Sequence, residues 1–200
     1  MSGELRTATA SDLDGLTATL TAAFAADPVW SWAFPNPDDL SVWWRYYLLS
    51  ALRYPWVWIS GDYAAVSVWI PPNGTELTEE EEEGVEPLIR GLIGPRCDDV
   101  LELLDRFEAS HPREEPHYYL SLLGTHPDRR GEGLGIALLS DNLRRTDAEG
   151  IPAFLESTNR TNNARYERLG FAQVGEFMTP DGTRTVATMW RDVGADGSPG

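Results

Sequence analysis

Apolar residues at helical spacing alternate along the chain with short apolar runs of strand type, and their succession predicts the elements. Glu4 to Thr9 reads as a first strand. Leu13, Leu16, Leu20 and Phe24 then share one face of a helix that Ser11 can cap and Asp27-Pro28 ends. Trp30, Trp32 and Phe34 follow in a proline-punctuated connection. A second helix starts at Asn36-Pro37 and carries Leu40, Trp43, Trp44, Tyr47, Leu48 and Ala51. Trp56 to Ser60 and Ala64 to Ile70 read as strands joined by a Gly61-Asp62 turn. The run Glu79 to Glu83 suits an exposed helix start, where carboxylates meet the positive end of the helix dipole. Val100, Leu101, Leu104 and Phe107 mark another helix, capped by Asp98 and closed by His111-Pro112.

In the second half, Tyr118 to Leu123 is apolar and aromatic, as a buried strand should be, and Pro127 ends it. Three glycines follow at alternate positions, and Ile136, Leu139 and Leu143 then recur at helical spacing. Ile151 to Ser157 is the next strand, Asn162 to Leu169 a short helix stopped by Gly170. Phe171 to Met178 and Arg184 to Trp190 pair as a hairpin around Pro180-Asp181-Gly182. The chain reads as one domain over 1–193 with a loose tail at 194–200.

The strand, glycine loop and helix around Gly131, Gly133 and Gly135 carry the clearest chemical signal. Glycines let backbone approach a ligand, and the free N–H groups of a helix start suit a phosphate. A P-loop requires Gly-Lys-Ser/Thr, but Ile136 and Ala137 follow Gly135, so that reading fails. A dinucleotide fold requires G-x-G-x-x-G directly after the strand. Here the spacing differs and Pro127-Asp128-Arg129-Arg130 intervenes, although Glu156 sits at the end of the next strand.

Arg130-x-x-Gly133-x-Gly135 after the strand resembles the acetyl-CoA loop of the GNAT superfamily of N-acyltransferases. A second block supports the likeness. Asn162, Tyr166, Glu167, Gly170 and Phe171 match that superfamily's pattern of an Asn, a Tyr four residues on, then Glu-x-x-Gly-Phe. Within it, the stretch from Glu115 to Phe171 resembles puromycin N-acetyltransferase and its relatives. The resemblance implies a single α/β (α+β) domain with a central, mostly antiparallel sheet, splayed at the acetyl-CoA site and flanked by helices. It also implies that acetyl-CoA is the co-substrate and that a primary amine of a small molecule is the acceptor, with detoxification of an antibiotic or toxic amine as one use.

Residue by residue, the resemblance implies that the sheet opens at about Leu123-Gly124, where a backbone N–H would hold the thioester carbonyl. Leu123 and Thr125 would pair with the pantetheine amides. The N–H groups of Arg130, Gly131, Gly133, Leu134, Gly135 and Ile136 would hold the pyrophosphate. Tyr166 matches the tyrosine that protonates the departing thiolate. Asn162 would bond the pantetheine arm, cap its helix, or both. The general base is open between Glu156, His117 and an ordered water chain; His117, Tyr119 and Ser121 share a strand face by alternation. Trp30, Trp43 and Tyr119 are expected at the acceptor pocket, alongside the alternative that these rings fill the core.

Composition narrows the partners. The 200 residues carry a formal charge of −16, and every basic side chain is arginine. Such a chain is a poor ligand for nucleic acid and attracts cations; solubility is the plainer explanation of the same charge. One cysteine, Cys97, excludes an internal disulfide and suits a reducing cytoplasm. The three histidines lack metal-site spacing, so no metal is expected. No apolar run approaches a membrane span, and a monomer or homodimer is equally compatible.

Overall fold

The computed structural model describes residues 5–195. Strand β1 (Leu5–Thr7) leads through a 3₁₀ turn into helix α1 (Leu13–Phe24), followed by α2 (Trp30–Ala33) and α3 (Pro37–Ala51). Strands β2 (Val57–Ser60) and β3 (Ala65–Ile70) precede α4 (Glu79–Ile93) and α5 (Cys97–Ser110). Then come β4 (Tyr118–Thr125), α6 (Leu134–Glu149), β5 (Ala153–Ser157), α7 (Asn163–Glu167), β6 (Ala172–Met178) and β7 (Thr185–Arg191). The elements form one seven-stranded sheet in the order β1-β2-β3-β4-β5-β7-β6. Every pair is antiparallel except β4 with β5, which α6 connects by a crossover. This is the mostly antiparallel, helix-flanked sheet expected.

Both faces of the middle of the sheet are covered. Val66 and Val68 of β3 join Leu16 and Leu20 of α1 and Leu40, Trp44 and Leu48 of α3 in the larger core. Their neighbour Trp69 packs with Leu139 and Leu143 of α6 on the other side. Ser67 and Trp69 also donate to the buried Oδ1 of Asn142, at 2.7 and 2.9 Å, which fixes α6 against the sheet. The buried stripe of α6 is Leu134, Leu138 and Asn142 beside Leu139, Leu143 and Thr146, with Ile136 only half-buried. The expected stripe from Ile136 is therefore rotated, because a buried asparagine occupies a position that hydrophobic spacing leaves out.

Several local expectations change. Ser11 is exposed; Asp12 instead accepts the Thr9 N–H at 2.8 Å, the Arg6 guanidinium at 2.6 Å and the Tyr63 hydroxyl at 2.7 Å. Trp30 to Ala33 is a helical turn rather than a bare connection, since Asp27 Oδ1 accepts the N–H groups of Val29 and Trp30. Helix α5 begins at Cys97, fed by a 3₁₀ turn, so Asp98 lies inside it. Asn162 stands at the start of α7 without capping it; Asn159 caps the preceding turn through the Thr161 N–H at 3.1 Å. Arg191, buried, forks onto Asp147 at 2.7 and 2.9 Å and joins β7 to α6. Of the expected tail, Gly194 donates to Asp147 at 2.8 Å, and 196–200 lie outside the described residues.

The feature that positions the site is in β4. Val68 faces Leu122 while Trp69 faces Leu120, so Ser121 is an extra residue, a β-bulge. Pairing between β4 and β5 runs only from Tyr118–Ala153 to Leu120–Leu155. Beyond the bulge β4 stays with β3 to Thr125, and β5 stays with β7 to Ser157. The sheet thus opens directly after Leu120, three residues before the expected Leu123-Gly124, because the bulge bends β4 away there. Alternation shifts from Leu122 onward, while His117, Tyr119 and Ser121 still line one cavity, as alternation predicts. Gly124 serves packing instead. A Cβ there would lie 2.9 Å from Leu20 Cδ2 and 3.0 Å from Ala23 Cβ. Its bare Cα lets α1 lie directly on the diverging strand.

A Gly124→Val chain should therefore lose about 1–3 kcal/mol of stability in urea titration, the usual scale of overpacking a filled site. An unchanged midpoint would mean that α1 does not rest on β4 at this residue.

Candidate active site

A cavity of about 970 Å³ lies over the opening between β4 and β5. Its floor is formed by Tyr119 to Leu123 and Leu155 to Ser157, and α1 to α5 contribute its walls. Trp30, Trp43 and Tyr119 all line it, each at most 8% exposed. Their roles in packing are as clear: Trp30 stacks on Phe107 at 5.9 Å, Trp43 on Phe34 at 6.0 Å. These rings are core and cavity wall at once.

Glu156 and Glu76 both line this cavity and, like Asp27, pair with no cation among the described residues. Glu156, the first β5 residue past the last β4 pair, has an Oε2 sealed from solvent with no hydrogen bond. Its Oε1 meets only Ser110 Oγ, at 3.5 Å. Burial pushes its carboxyl up to about 8, opposed by the Tyr119 hydroxyl beside it and reinforced by the charge of Glu76. Glu76 accepts from Tyr47 and Ser121 at 2.7 and 2.8 Å, and burial raises its carboxyl too.

His117 is buried among Phe154, Trp190 and His111. Its Nδ1 lies 2.7 Å from the Glu115 carbonyl, which can only accept, so Nδ1 carries the proton. Its Nε2 then accepts from His111 at 3.1 Å. Burial lowers both rings, His111 to about 4, so both are neutral at pH 7. With both nitrogens engaged, His117 is less free to take a proton than Glu156.

Tyr166 lines the cavity from α7, its ring against Phe171 at 6.1 Å. Burial, with the nearby Asp27 carboxylate second, pushes its hydroxyl up to about 12, so it keeps its proton at neutral pH. Asp27 in turn accepts from Thr158 Oγ1 at 2.8 Å, tying the α1–α2 junction to the end of β5. Asn162 also borders the cavity, but its Oδ1 accepts from Arg165 at 2.6 Å.

The glycine loop connects the end of β4 to the start of α6. Gly131 and Gly133 adopt φ of +85° and +74°, and nothing lies within 4 Å of a Cβ built at either. Gly135 is needed for proximity: a Cβ there would lie 2.5 Å from Thr125 Oγ1. Among the described backbone bonds, none uses the N–H groups from Gly131 to Ile136. Six successive free amides at a helix start make an anion cradle of the kind a pyrophosphate fits. Arg130 anchors the loop by donating to the Ala23 carbonyl at 3.0 Å. Leu123 and Thr125 lie on the β4 edge that β5 has left.

Sequence reasoning missed Glu76, Asp27 and Tyr47 as cavity residues. Glu76 sits in an irregular connection that offers no periodicity. Asp27 reads as a helix stop, Tyr47 as part of an apolar helix face. Among the described residues no cluster suited to a metal ion occurs, and no helix is long and apolar enough to cross a membrane.

Comparison with known proteins agrees with this fold. The model of the acetyltransferase (GNAT) family matches residues 29–171. An uncharacterised N-acetyltransferase of Schizosaccharomyces pombe is 26% identical over 187 residues, 86% of this chain and 76% of that protein. A Corynebacterium glutamicum structure described as histone acetyltransferase HPA2 and related acetyltransferase superposes with a TM-score of 0.68 at 23% identity, covering 96% of this chain and 97% of that one. Drosophila melanogaster polyamine N-acetyltransferase gives 0.69 at 18% identity, covering 94% and 99%.

Glu156 offers a check that needs no substrate. Its carboxyl binds protons more tightly folded than unfolded, so the stability it contributes is lost as pH rises from about 4.5 to about 8. Glu156→Gln removes this term, so its stability relative to wild type should climb by a few kcal/mol across that window, at ~1.4 kcal/mol per unit at most. The lowered His111, between about 4 and 6.5, and the lowered His117 act with opposite sign within the lower part of this window, and both cancel in the difference between the two chains. Parallel urea-derived stability curves would show that Glu156 is not buried as described.

Proposed function

The chain belongs to the acetyltransferase (GNAT) family, and from that premise we propose that it acetylates a primary amine on a small cationic molecule. It is an acyltransferase with acetyl-CoA as co-substrate. The observation that carries the proposal is the Glu156 carboxyl at the β4–β5 opening, whose Oε2 has no partner, in a cavity whose one lining arginine, Arg113, is paired with Glu108 instead. A negative cavity of this kind collects ammonium ions, and a carboxyl near neutrality can take a proton from one.

The residues suit acetyl-CoA at the opening: free amides at the glycine loop, an unpaired β4 edge, and an open space between them. When bound, acetyl-CoA supplies an activated acetyl thioester. In the proposed reaction Glu156 accepts the proton that the ammonium must lose before its nitrogen can attack. An N–H on the β4 edge past Ser121 faces the carbonyl oxygen and stabilises the charge that develops there. Tyr166 gives its proton to the sulfur as the C–S bond breaks; its raised affinity keeps that proton available until then. Cys97 is buried, its thiol raised by burial, and direct attack requires no covalent intermediate. Detoxification of an amine antibiotic, implied by the likeness of 115–171, is a narrower form of the same reading.

Gly133→Asp should abolish acetyl-CoA binding measured by calorimetry, while Gly133→Asn, with the same left-handed backbone but no charge, should retain most of it. Equal losses would assign the effect to the backbone, equal retention would move the pyrophosphate elsewhere. CoA release across small amines, puromycin and peptide N-termini tests the acceptor class, and Tyr166→Phe tests the acid. With an accepted small amine, kcat should fall about 10²–10⁴-fold while acetyl-CoA affinity barely changes. Turnover of peptides alone would replace the small-molecule reading, and CoA binding without turnover would make the protein a sensor.

A further inference from the structure

We propose that the acceptor is a dication of the α,ω-diamine type, whose second, non-reacting ammonium binds Glu76. This rests on the acetyl-transfer reading and names the substrate class within it.

Glu76 lies in the connection between β3 and α4, on the far side of the bulge from Glu156. Tyr47 and Ser121 both address its Oε1, at 2.7 and 2.8 Å, and no group among the described residues bonds its Oε2. Half of the carboxylate is therefore left for a ligand. The donors that hold it are neutral hydroxyls. Arg53 donates to the backbone carbonyls of Ser50 and Glu76 at 2.8 and 3.2 Å and to Thr75 Oγ1 at 2.8 Å, and makes no ion pair with the Glu76 carboxylate. Glu156 is in the same condition, with an Oε2 that nothing satisfies.

Two partly buried carboxylates in one cavity repel each other; the charge of Glu76 tightens the hold of Glu156 on its proton, and burial, with the charge of Glu108, does the same for Glu76. Burying such a pair without cations is costly. One ammonium relieves one of them. A chain with an ammonium at each end relieves both. Ser121 and Glu156 are the first residues past the last β4–β5 pair, so the two carboxyls are on the order of one to two strand spacings apart, about 5–10 Å, a gap that roughly three to six methylenes span. Tyr119 and Tyr47, both cavity-lining, offer ring surface to the methylenes between.

The test is steady-state CoA release by the full chain, with α,ω-diamines and n-alkylamines of matched length from three to six carbons. In wild type, kcat/KM should favour the diamine at least about tenfold at one spacer length, the worth of one charge-assisted pair and beyond the twofold that two equivalent amines give. In Glu76→Gln the diamine-to-monoamine ratio should drop towards two, and Glu76→Asp should keep part of the preference. Because the ratio is taken within each variant, a general loss of activity cancels. If Glu76→Gln does not fold, the wild-type length series still decides. Equal diamine and monoamine values in wild type, or a preference that survives Glu76→Gln, overturns the assignment of Glu76 while leaving amine acetylation standing. Turnover of no amine at all overturns the acetyl-transfer reading and this inference with it.

Discussion

The ladder between β4 and β5 stops after three residue pairs, and the site depends on that stop. A buried strand edge normally finds a partner, since unpaired N–H and C=O groups cost free energy in the interior. Here the Ser121 bulge turns β4 away from β5 while β3 and β7 hold each strand on its outer side. The freed edge of β4 faces a cavity rather than another strand. Glu156 and Ser121 become the first side chains at the opening. Gly124 and Gly135 allow α1 and α6 to approach the end of β4 from their own sides, so the opening is held as well as created.

Charge is distributed to match. The arginines form ion pairs at the surface or lock elements together, as Arg191 does with Asp147 and Arg6 with Asp12. Among the described residues none pairs with Glu76 or Glu156.

Much of this was legible in the chain. The glycine loop and the Asn162–Phe171 block are local, so their backbone needs are written in adjacent residues. The helices of the first half follow from spacing because each buries one stripe. The bulge was not legible: Tyr118 to Thr125 reads as a continuous strand, and only the register with β3 reveals that Ser121 is extra. Glu76 was invisible because its partners come from α3 and β4. The stripe on α6 was misplaced by Asn142, whose burial depends on Ser67 and Trp69 across the sheet. Ser11 lost to Asp12 for a similar reason, since Arg6 and Tyr63 supply donors that a local reading of caps omits.

Guanidinium groups supply every basic side chain, and that choice bears on how the enzyme survives its own chemistry. An enzyme that holds an acetyl thioester works beside a reagent that modifies primary amines, and ε-amines are its usual casualties in any protein. In these 200 residues there is no ε-amine to modify. Guanidinium groups stay protonated and do not attack thioesters at neutral pH. The ion pairs that fasten β7 to α6 and β1 to α1 are therefore inert to the enzyme's own reagent, and its surface charge does not drift as it turns over.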